Sequence, residues 1–322
     1  MRSRRMQIKE QFEDTVSGGA PYPIVRERRL FKIVQLRDSA VGFEIMVYGQ
    51  ERSWDRTLVI VHTIYHPVPP PQHVCEIMAN AGWRIVFVRR PGFGRSSPLP
   101  QKLYDTDLIR TSATVSAEAS VLARLIHELD IEDATLLGIA TAAPVAARLA
   151  FLSKRVSRLA LINPSLRTPQ WHSNTPKWVR TVIDQVFQSR AGVYLAERGF
   201  KHLLRRDIDS FYKQFANGGG ADNTFYEQNR IDHLHAREVL LKVSSDIIFA
   251  EVHINACNDS FFTDGLFEHL ETKFFIGADC TEYWRSELEH EAARTGARLH
   301  IAPQGDLSNG MSCPQFLVDN LA

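Results

Sequence analysis

The sequence of 322 residues contains no uninterrupted apolar run that approaches the roughly 18 residues needed to cross a bilayer as a helix. It also lacks an excess of charge of either sign, because 38 lysines and arginines balance 37 aspartates and glutamates. A net charge of +1 gives the chain as a whole no electrostatic attraction to nucleic acid or to an anionic membrane. We therefore expect neither a membrane span nor a nucleic-acid partner.

Cysteine is scarce, and the four present show neither a Cys-x-x-Cys pair nor the Cys and His spacing of a metal site. The N-terminus is basic from Arg2 to Arg5 but turns acidic by Glu10 without an apolar stretch, which is not the pattern of a secretory signal. These features predict reduced thiols, a cytoplasmic location, and neither a metal nor a cofactor. The cysteines are Cys75, Cys257, Cys280 and Cys313.

Strand-like and helix-like patterns alternate along most of the chain. Fully apolar runs of strand length, such as residues 57–62 and 84–88, are typical of strands buried in a parallel sheet. Amphipathic helical patterns separate these runs, for example over residues 116–129. The alternation predicts an α/β fold with a mostly parallel sheet that is covered by helices on both faces.

The character of the sequence divides the chain into four parts. Residues 1–29 are polar and rich in turn formers, and they are expected to form an N-terminal arm. Residues 30–164 carry the first part of the sheet core. Residues 165–265 show long helical patterns rich in aromatics and no clear strand, which predicts an inserted helical lid. The strand pattern resumes within residues 266–322, the second part of the core.

The most distinctive stretch runs from Ala134 to Ala150. It opens as an apolar strand, passes through a cluster of tiny residues and becomes an alanine-rich segment with helical spacing. This layout is similar to the nucleophile elbow of the α/β hydrolases, G-x-S-x-G, which exposes a serine at the tip of a strained strand-to-helix turn. The corresponding residues here read G-I-A-T-A over positions 138–142, with Ala140 at the centre.

Two further landmarks extend the similarity, so that the chain from about Leu30 onward resembles the α/β-hydrolase superfamily, helical lid included. The most specific is P-G-F-G-R-S at residues 91–96, which is similar to the family's R-G-F-G-x-S turn. The other is the apolar strand that ends at His62. Family members carry a His-Gly pair there and a loop that donates one oxyanion-hole amide, whereas Thr63 follows in this chain.

The resemblance also implies which positions correspond to a Ser-His-Asp triad. The G-A-D sequence that ends at Asp279 looks like the acid-bearing region, which assigns the acid position to Asp279. Gly305-Asp306 falls where the family places Gly-His, so Asp306 occupies the base position and Ala140 the nucleophile position. An alanine methyl cannot attack a carbonyl, and an aspartate cannot perform both proton-transfer roles of an imidazole near neutral pH. The resemblance therefore implies a degenerate triad whose chemistry has lapsed or changed.

Polar residues near these positions are candidates for a pocket. Thr141 follows the nucleophile position, where the family uses the backbone N–H for the oxyanion hole, and its hydroxyl is expected to cap the following helix. For His62, a hydrogen bond that orients the loop is favoured over catalysis, although His62 and Asp306 are also candidates for an acid–base pair. The pocket and oxyanion-region candidates are His62, Thr63, Tyr65, His66 and Thr141.

Three functions are compatible with this pattern, in decreasing order of weight. The first is a pseudoenzyme that uses a lid-covered pocket to bind a small apolar or ester-like ligand, or a protein partner. The second is an unconventional enzyme, a lyase or an esterase, whose proton transfer uses His62, Tyr65 and the aspartates at the acid and base positions. The third is an ordinary hydrolase that uses a different serine, such as Ser96 or Ser308.

Overall fold

A computed structural model of the chain describes residues 31–49, 56–104, 108–166, 181, 189–213, 220–256, 260–306 and 309–321. The N-terminal arm predicted for residues 1–29 lies outside the described residues, and so does the start of the predicted lid at residues 167–180 and 182–188. Three of the four cysteines are described, and each is a buried free thiol.

One eight-stranded sheet forms the centre of the described structure. Its strands are β1 Phe31–Gln35, β2 Gly42–Tyr48, β3 Arg56–Val61, β4 Trp83–Val88, β5 Ala134–Ile139, β6 Val156–Ile162, β7 Glu271–Gly277 and β8 Arg298–Ala302. In space they follow the order β1-β2-β4-β3-β5-β6-β7-β8. β2 pairs antiparallel with both β1 and β4, and all pairings from β4 to β8 are parallel. The mostly parallel sheet that the sequence predicts is confirmed.

Helices flank this sheet and extend beyond it. They are α1 Gln72–Asn80, α2 Leu108–Glu128, α3 Ala143–Leu152, α4 Arg190–Arg206, α5 Ile208–Lys213, α6 Gly220–Gln228, α7 Arg230–Lys242, α8 Ser245–Ala256, α9 Glu282–Thr295, α10 Asn309–Ser312 and α11 Pro314–Leu321. In the described ranges, no helix is both long enough and apolar enough to cross a membrane.

The hydrophobic core is divided by the sheet into two layers. Along β4, Val86 and Val88 face the layer covered by α2, α3 and α9, whereas Ile85 and Phe87 face the layer covered by α1 and α11. Successive side chains of a strand point to opposite faces, so a strand covered on both faces must be apolar throughout. This is why the central strands read as continuous apolar runs.

Helix α2 begins earlier than its apolar pattern suggests. The pattern places the start near residue 116, but the helix begins at Leu108. Thr111 and Thr114 are buried within its first turns, and the Thr114 hydroxyl donates to the Leu103 carbonyl. Between residues 111 and 115 the buried positions are these two threonines and Val115, so polar residues supply most of the added packed face and the apolar pattern misses it.

Between β6 and β7 the described residues form helices α4 to α8 and no strand. We refer to residues 190–256 as the helical insert. Within it, α4 packs against α7 and α8, and α8 also packs against α2 of the sheet core. α6 packs against α10 as well, so the insert is attached to the core both at α2 and at the end of the sheet near α10.

Candidate functional site

The turn after β5 carries the sequence-predicted nucleophile position. β5 ends at Ile139, residues 140–142 form one turn of 3₁₀ helix, and α3 follows directly. Ala140 is 8% exposed and has a φ of +46°, a left-handed conformation that costs an ordinary residue about 1–2 kcal/mol. A Cβ at Gly138 would overlap the side chains of Ala146 and Leu161. The strand, the sharp turn and the close packing of strand on helix are all present.

The other predicted site residues lie at the same edge of the sheet. His62 follows β3, Asp279 follows β7 and Asp306 follows β8, while Ala140 follows β5. These are the carboxyl ends of parallel strands, which is where open α/β sheets place their ligand sites. Topology alone therefore gathers residues that are far apart in the sequence.

Thr141 bonds to the loop after β3. Its Oγ1 accepts the backbone N–H of Ile64 at 3.1 Å and lies 3.1 Å from the Thr63 Oγ1. No side chain caps α3, whose N-cap position is Ala142. The expectation that Thr141 caps the helix is wrong, because the 3₁₀ turn places Thr141 ahead of the N-cap and directs its hydroxyl to the neighbouring loop. The Ile64 N–H consequently has an acceptor within the protein.

His62 is fully buried, and backbone groups occupy both of its ring nitrogens. Nδ1 donates to the Thr63 carbonyl at 2.8 Å, and Nε2 accepts the backbone N–H of Arg90 at 3.0 Å. Burial lowers the pKa of His62 well below 6.5, and the charge of Arg90 lowers it further, so the ring is neutral. His62 joins the loops after β3 and β4, and neither nitrogen remains for the acid–base pair with Asp306.

A buried ion cluster beside His62 was not anticipated from the sequence. The Arg90 side chain is 1% exposed, and its Nε and Nη2 donate to Glu118 at 2.5 and 3.1 Å. Its Nη1 donates to Glu251 at 3.1 Å, and Nη2 also bonds to Glu251. Burial alone would lower the pKa of Arg90, but the two carboxylates outweigh it and raise that pKa. We call Arg90, Glu118 and Glu251 the Arg90 cluster.

Glu251 places the Arg90 cluster close to the elbow. The Thr141 side chain is near enough to lower the pKa of the Glu251 carboxylate, so α8 of the helical insert lies close to the turn that carries Ala140. Burial raises the pKa of Glu251 and outweighs the opposing effect of Arg90. Burial also raises the pKa of Tyr65, and the negative charge of Glu251 adds to the shift, which keeps the phenol protonated.

Two sequence signals mark the carboxylates of the Arg90 cluster. Glu118 lies four and seven residues before Leu122 and Leu125, in phase with the apolar stripe of α2. Glu251 belongs to α8, which is apolar on most of its circumference. A carboxylate placed where the helix faces the core must find a partner, because an isolated buried charge is costly.

The loop that carries Asp306 is held from three directions. The Asp279 Oδ2 accepts the backbone N–H of Gly305 at 2.7 Å. The Asp222 Oδ2, on α6 of the helical insert, accepts the backbone N–H of Asp306 at 3.2 Å. The Asn163 side-chain amide donates to the Asp306 carbonyl at 2.8 Å. The structure therefore brings Asp279 and Asp306 into one loop system, in which Asp279 bonds to backbone.

His66 and the backbone of Tyr65 contact the helical insert. The centroid of the His66 ring lies 4.9 Å from that of His233 and 6.1 Å from that of Tyr212. The Tyr212 hydroxyl donates to the Tyr65 carbonyl at 3.1 Å. Burial, and to a smaller extent His66, lowers the pKa of His233 to about 2, so His233 is neutral. His66 thus packs against the helical insert, whereas His62 is buried under the loop that follows β3.

The P-G-F-G-R-S turn is fastened to β2 by the buried carboxylate of Glu44. Glu44 accepts from Arg89 Nη1 at 2.5 Å and from the backbone N–H and Nε of Arg95 at 2.9 and 3.1 Å. The Ser96 hydroxyl donates to the Arg89 carbonyl at 2.7 Å and accepts the Glu44 N–H at 2.9 Å. Ser96 thus performs a structural role, and Ser308 lies outside the described residues.

A cavity of about 370 Å³ lies beside α6. It is formed where α6 meets α10, the start of α1 and the loop after β8, and no elbow residue lines it. Over the part of the chain that the structure describes, no three His, Cys, Asp or Glu side chains are grouped to hold a metal ion. The cavity is lined by His73, Gly220, Ala221, Thr224, Phe225, Gln228, Gln304, Met311 and Ser312.

Comparison with known proteins agrees with this architecture. The model of a family described as alpha/beta hydrolase fold matches residues 56–238, more than half of the chain. No curated protein matches the sequence.

Three solved structures illustrate the likeness, and each is matched over 90% of this chain. One, from work on carboxylesterases of Nitrososphaera gargenis, has a TM-score of 0.60 at 15% identity over 96% of its length. A proline iminopeptidase-related protein of Thermus thermophilus gives 0.57 at 16% over 94% of its length. An esterase of Thermogutta terrifontis gives 0.56 at 17% over 95% of its length. At such identities the likeness shows a shared fold.

Proposed function

The chain belongs to the α/β-hydrolase fold family, and from that premise we propose that it is a pseudoenzyme that binds a small apolar or ester-like ligand without cleaving it. The observation that carries the proposal is Ala140. Its methyl group occupies the strained turn, at a φ of +46°, where the family's elbow presents the nucleophilic serine. A methyl group has no electron pair with which to attack a carbonyl.

The oxyanion region supports the same proposal. A tetrahedral intermediate is stabilised by N–H groups that point at the developing negative charge and have no competing acceptor. Here the Ile64 N–H donates to the Thr141 Oγ1, which also lies 3.1 Å from the Thr63 Oγ1. To stabilise an oxyanion, Ile64 would first have to break a hydrogen bond within the protein.

The acid and base positions lend further support. Asp306 stands where the family carries its histidine, and the Asp279 carboxylate bonds to a backbone N–H, whereas in a working triad it would orient an imidazole. The unconventional enzyme would require His62 to exchange protons, yet both of its nitrogens bond to buried backbone groups. These contacts favour the pseudoenzyme over that alternative.

The choice of ligand rests on the family and on the helical insert. Two of the three structures compared above come from work on esterases, which is why we propose an ester-like ligand. The Glu251 carboxylate of α8 lies near Thr141 of the elbow, which supports residues 165–265 acting as a lid over this edge of the sheet. In this proposal the sheet core comprises residues 30–164 and 266–322.

Hydrolysis of a panel of p-nitrophenyl esters of increasing acyl length tests the proposal. We expect no release of p-nitrophenolate above the buffer rate from the wild type or from His62→Ala. The same esters are then screened by thermal shift, and we expect at least one to raise the melting temperature, because a ligand that binds only the folded state stabilises it.

Three outcomes would contradict the proposal, each in a different way. Turnover by the wild type that is lost in His62→Ala would indicate an unconventional enzyme. Covalent labelling by a fluorophosphonate probe would indicate an ordinary serine hydrolase with its nucleophile elsewhere. A protein that copurifies stoichiometrically, with no thermal shift from any ester, would replace the small ligand by a protein partner.

A further inference from the structure

The outward face of α4 concentrates positive charge. Within the described residues, three of its exposed arginines form no salt bridge, whereas Arg190 is paired with Asp246 at 3.7 Å. The only acidic residue of the helix, Glu197, is buried and bonds to Lys201 at 2.6 Å. A chain with a net charge of +1 thus carries a local excess of positive charge on one helix. The three unpaired arginines are Arg198, Arg205 and Arg206.

Two large apolar side chains lie on the same face. Tyr194 is 49% exposed and Leu195 is 67% exposed, although the opposite side of α4 is buried through Val193 and Leu204. At about 100° per residue, positions 194, 195, 198, 205 and 206 fall within a third of the helix circumference. The Arg198 guanidinium lies 5.7 Å from the centre of the Tyr194 ring.

We propose that this α4 basic face, formed by Tyr194, Leu195, Arg198, Arg205 and Arg206, docks on the surface of an anionic lipid bilayer. Arginines are attracted to anionic headgroups, and each basic residue near such a surface contributes independently. Tyrosine and leucine side chains are stabilised at the boundary between headgroups and acyl chains, because the ring and the aliphatic side chain are removed from water there. The docking lies in the plane of the interface and requires no spanning helix.

The aliphatic residue distinguishes a bilayer from a nucleic acid. A phosphate backbone would attract the same arginines, and bases could stack on Tyr194, but it offers no apolar layer to receive Leu195. A bilayer receives both the charges and the leucine. The docking is independent of the proposed ligand function, because it concerns a different surface and no esterase assay reports on it.

Sedimentation with vesicles tests the docking. Phosphatidylcholine vesicles with and without phosphatidylserine are compared for the wild type, for Arg198→Gln/Arg205→Gln, and for the control Lys154→Gln/Arg298→Gln. The control removes two other exposed cations, one after α3 and one on β8. We expect binding only to the phosphatidylserine vesicles, weakened about 25-fold by the α4 pair and less than about twofold by the control.

Two further measurements identify what the face binds. Leu195→Ser should weaken vesicle binding severalfold, and raising the salt concentration should release the protein, because the Debye length falls from about 10 Å at 0.1 M to about 3 Å at 1 M. Melting curves confirm that each variant folds. The proposal is overturned if the wild type ignores phosphatidylserine, if both double variants lose binding equally, or if single-stranded RNA competes fully while Leu195→Ser has no effect.

Discussion

Replacing Arg90 by methionine would leave the carboxylates of Glu118 and Glu251 buried without the cation they share. Both carboxylates bond to the guanidinium, and their side chains are almost inaccessible to water. Removing one member of such a cluster typically costs about 3–5 kcal/mol, because the remaining charges stay in a medium that solvates them poorly. We expect Arg90→Met to lower the free energy of unfolding by that amount at pH 7.

The same substitution should also change how stability depends on pH. Arg90 lowers the pKa of Glu251 against the effect of burial, so its removal raises that pKa further. At Glu251 the folded variant then binds more protons than the unfolded chain, so the contribution of this carboxyl group to stability should rise as the pH falls from 7 toward 5. The loss caused by Arg90→Met should therefore shrink over this range.

Urea unfolding at several pH values measures both effects. The triple variant Arg90→Met/Glu118→Met/Glu251→Met is the matched control, because it replaces all three charges by apolar side chains of similar volume. It should recover most of the lost stability, since replacing a whole buried ion cluster by well-packed hydrophobic residues is often close to neutral. A loss below about 1 kcal/mol in Arg90→Met, or a loss independent of pH, would refute a buried, charged Arg90 cluster.

Three more substitutions test separate parts of the structure. His233 has a pKa of about 2 in the folded state and 6.5 in the unfolded state, so the protein loses stability as the pH falls below 6.5. This loss amounts to about 1.4 kcal/mol at pH 5.5, and His233→Phe should remove it, as measured from urea unfolding midpoints. Gly94 has a φ of +57° beside the Glu44 carboxylate, so Gly94→Ala should cost about 1–3 kcal/mol by thermal melting. Ala140→Gly should leave the free energy of unfolding unchanged or raise it by up to about 1 kcal/mol, because glycine adopts a positive φ without strain. The control Ala143→Gly in α3 should cost about 1 kcal/mol. Equal losses in the two variants would contradict a strained turn at Ala140.

The sequence predicts the sheet core well because its central strands are buried on both faces and therefore read as continuous apolar runs. The apolar run at residues 84–88 becomes β4, which begins one residue earlier at Trp83. The elbow is predictable for a similar reason, since the small residue Gly138 and its neighbours permit the strand and helix to pack closely. In both cases, the residues that determine the local structure lie within one short stretch of sequence.

The Arg90 cluster could not be predicted in this way. Arg90 is separated from Glu118 by 28 positions and from Glu251 by 161, and only the folded chain brings the three together. Thr141 illustrates a second limit, because its preference for a capping position is overridden by a tertiary hydrogen bond with Ile64. Each depends on contacts between separate segments, which local propensity does not encode.

Recovery of a bound ester after prolonged incubation is the most direct test of binding without cleavage. The protein would be mixed with a p-nitrophenyl ester that raises its melting temperature, and the complex would be isolated by gel filtration and analysed by mass spectrometry. The pseudoenzyme proposal predicts intact ester in stoichiometric amount after many hours. Recovery of the free carboxylic acid, with p-nitrophenolate released faster than in buffer, would contradict it.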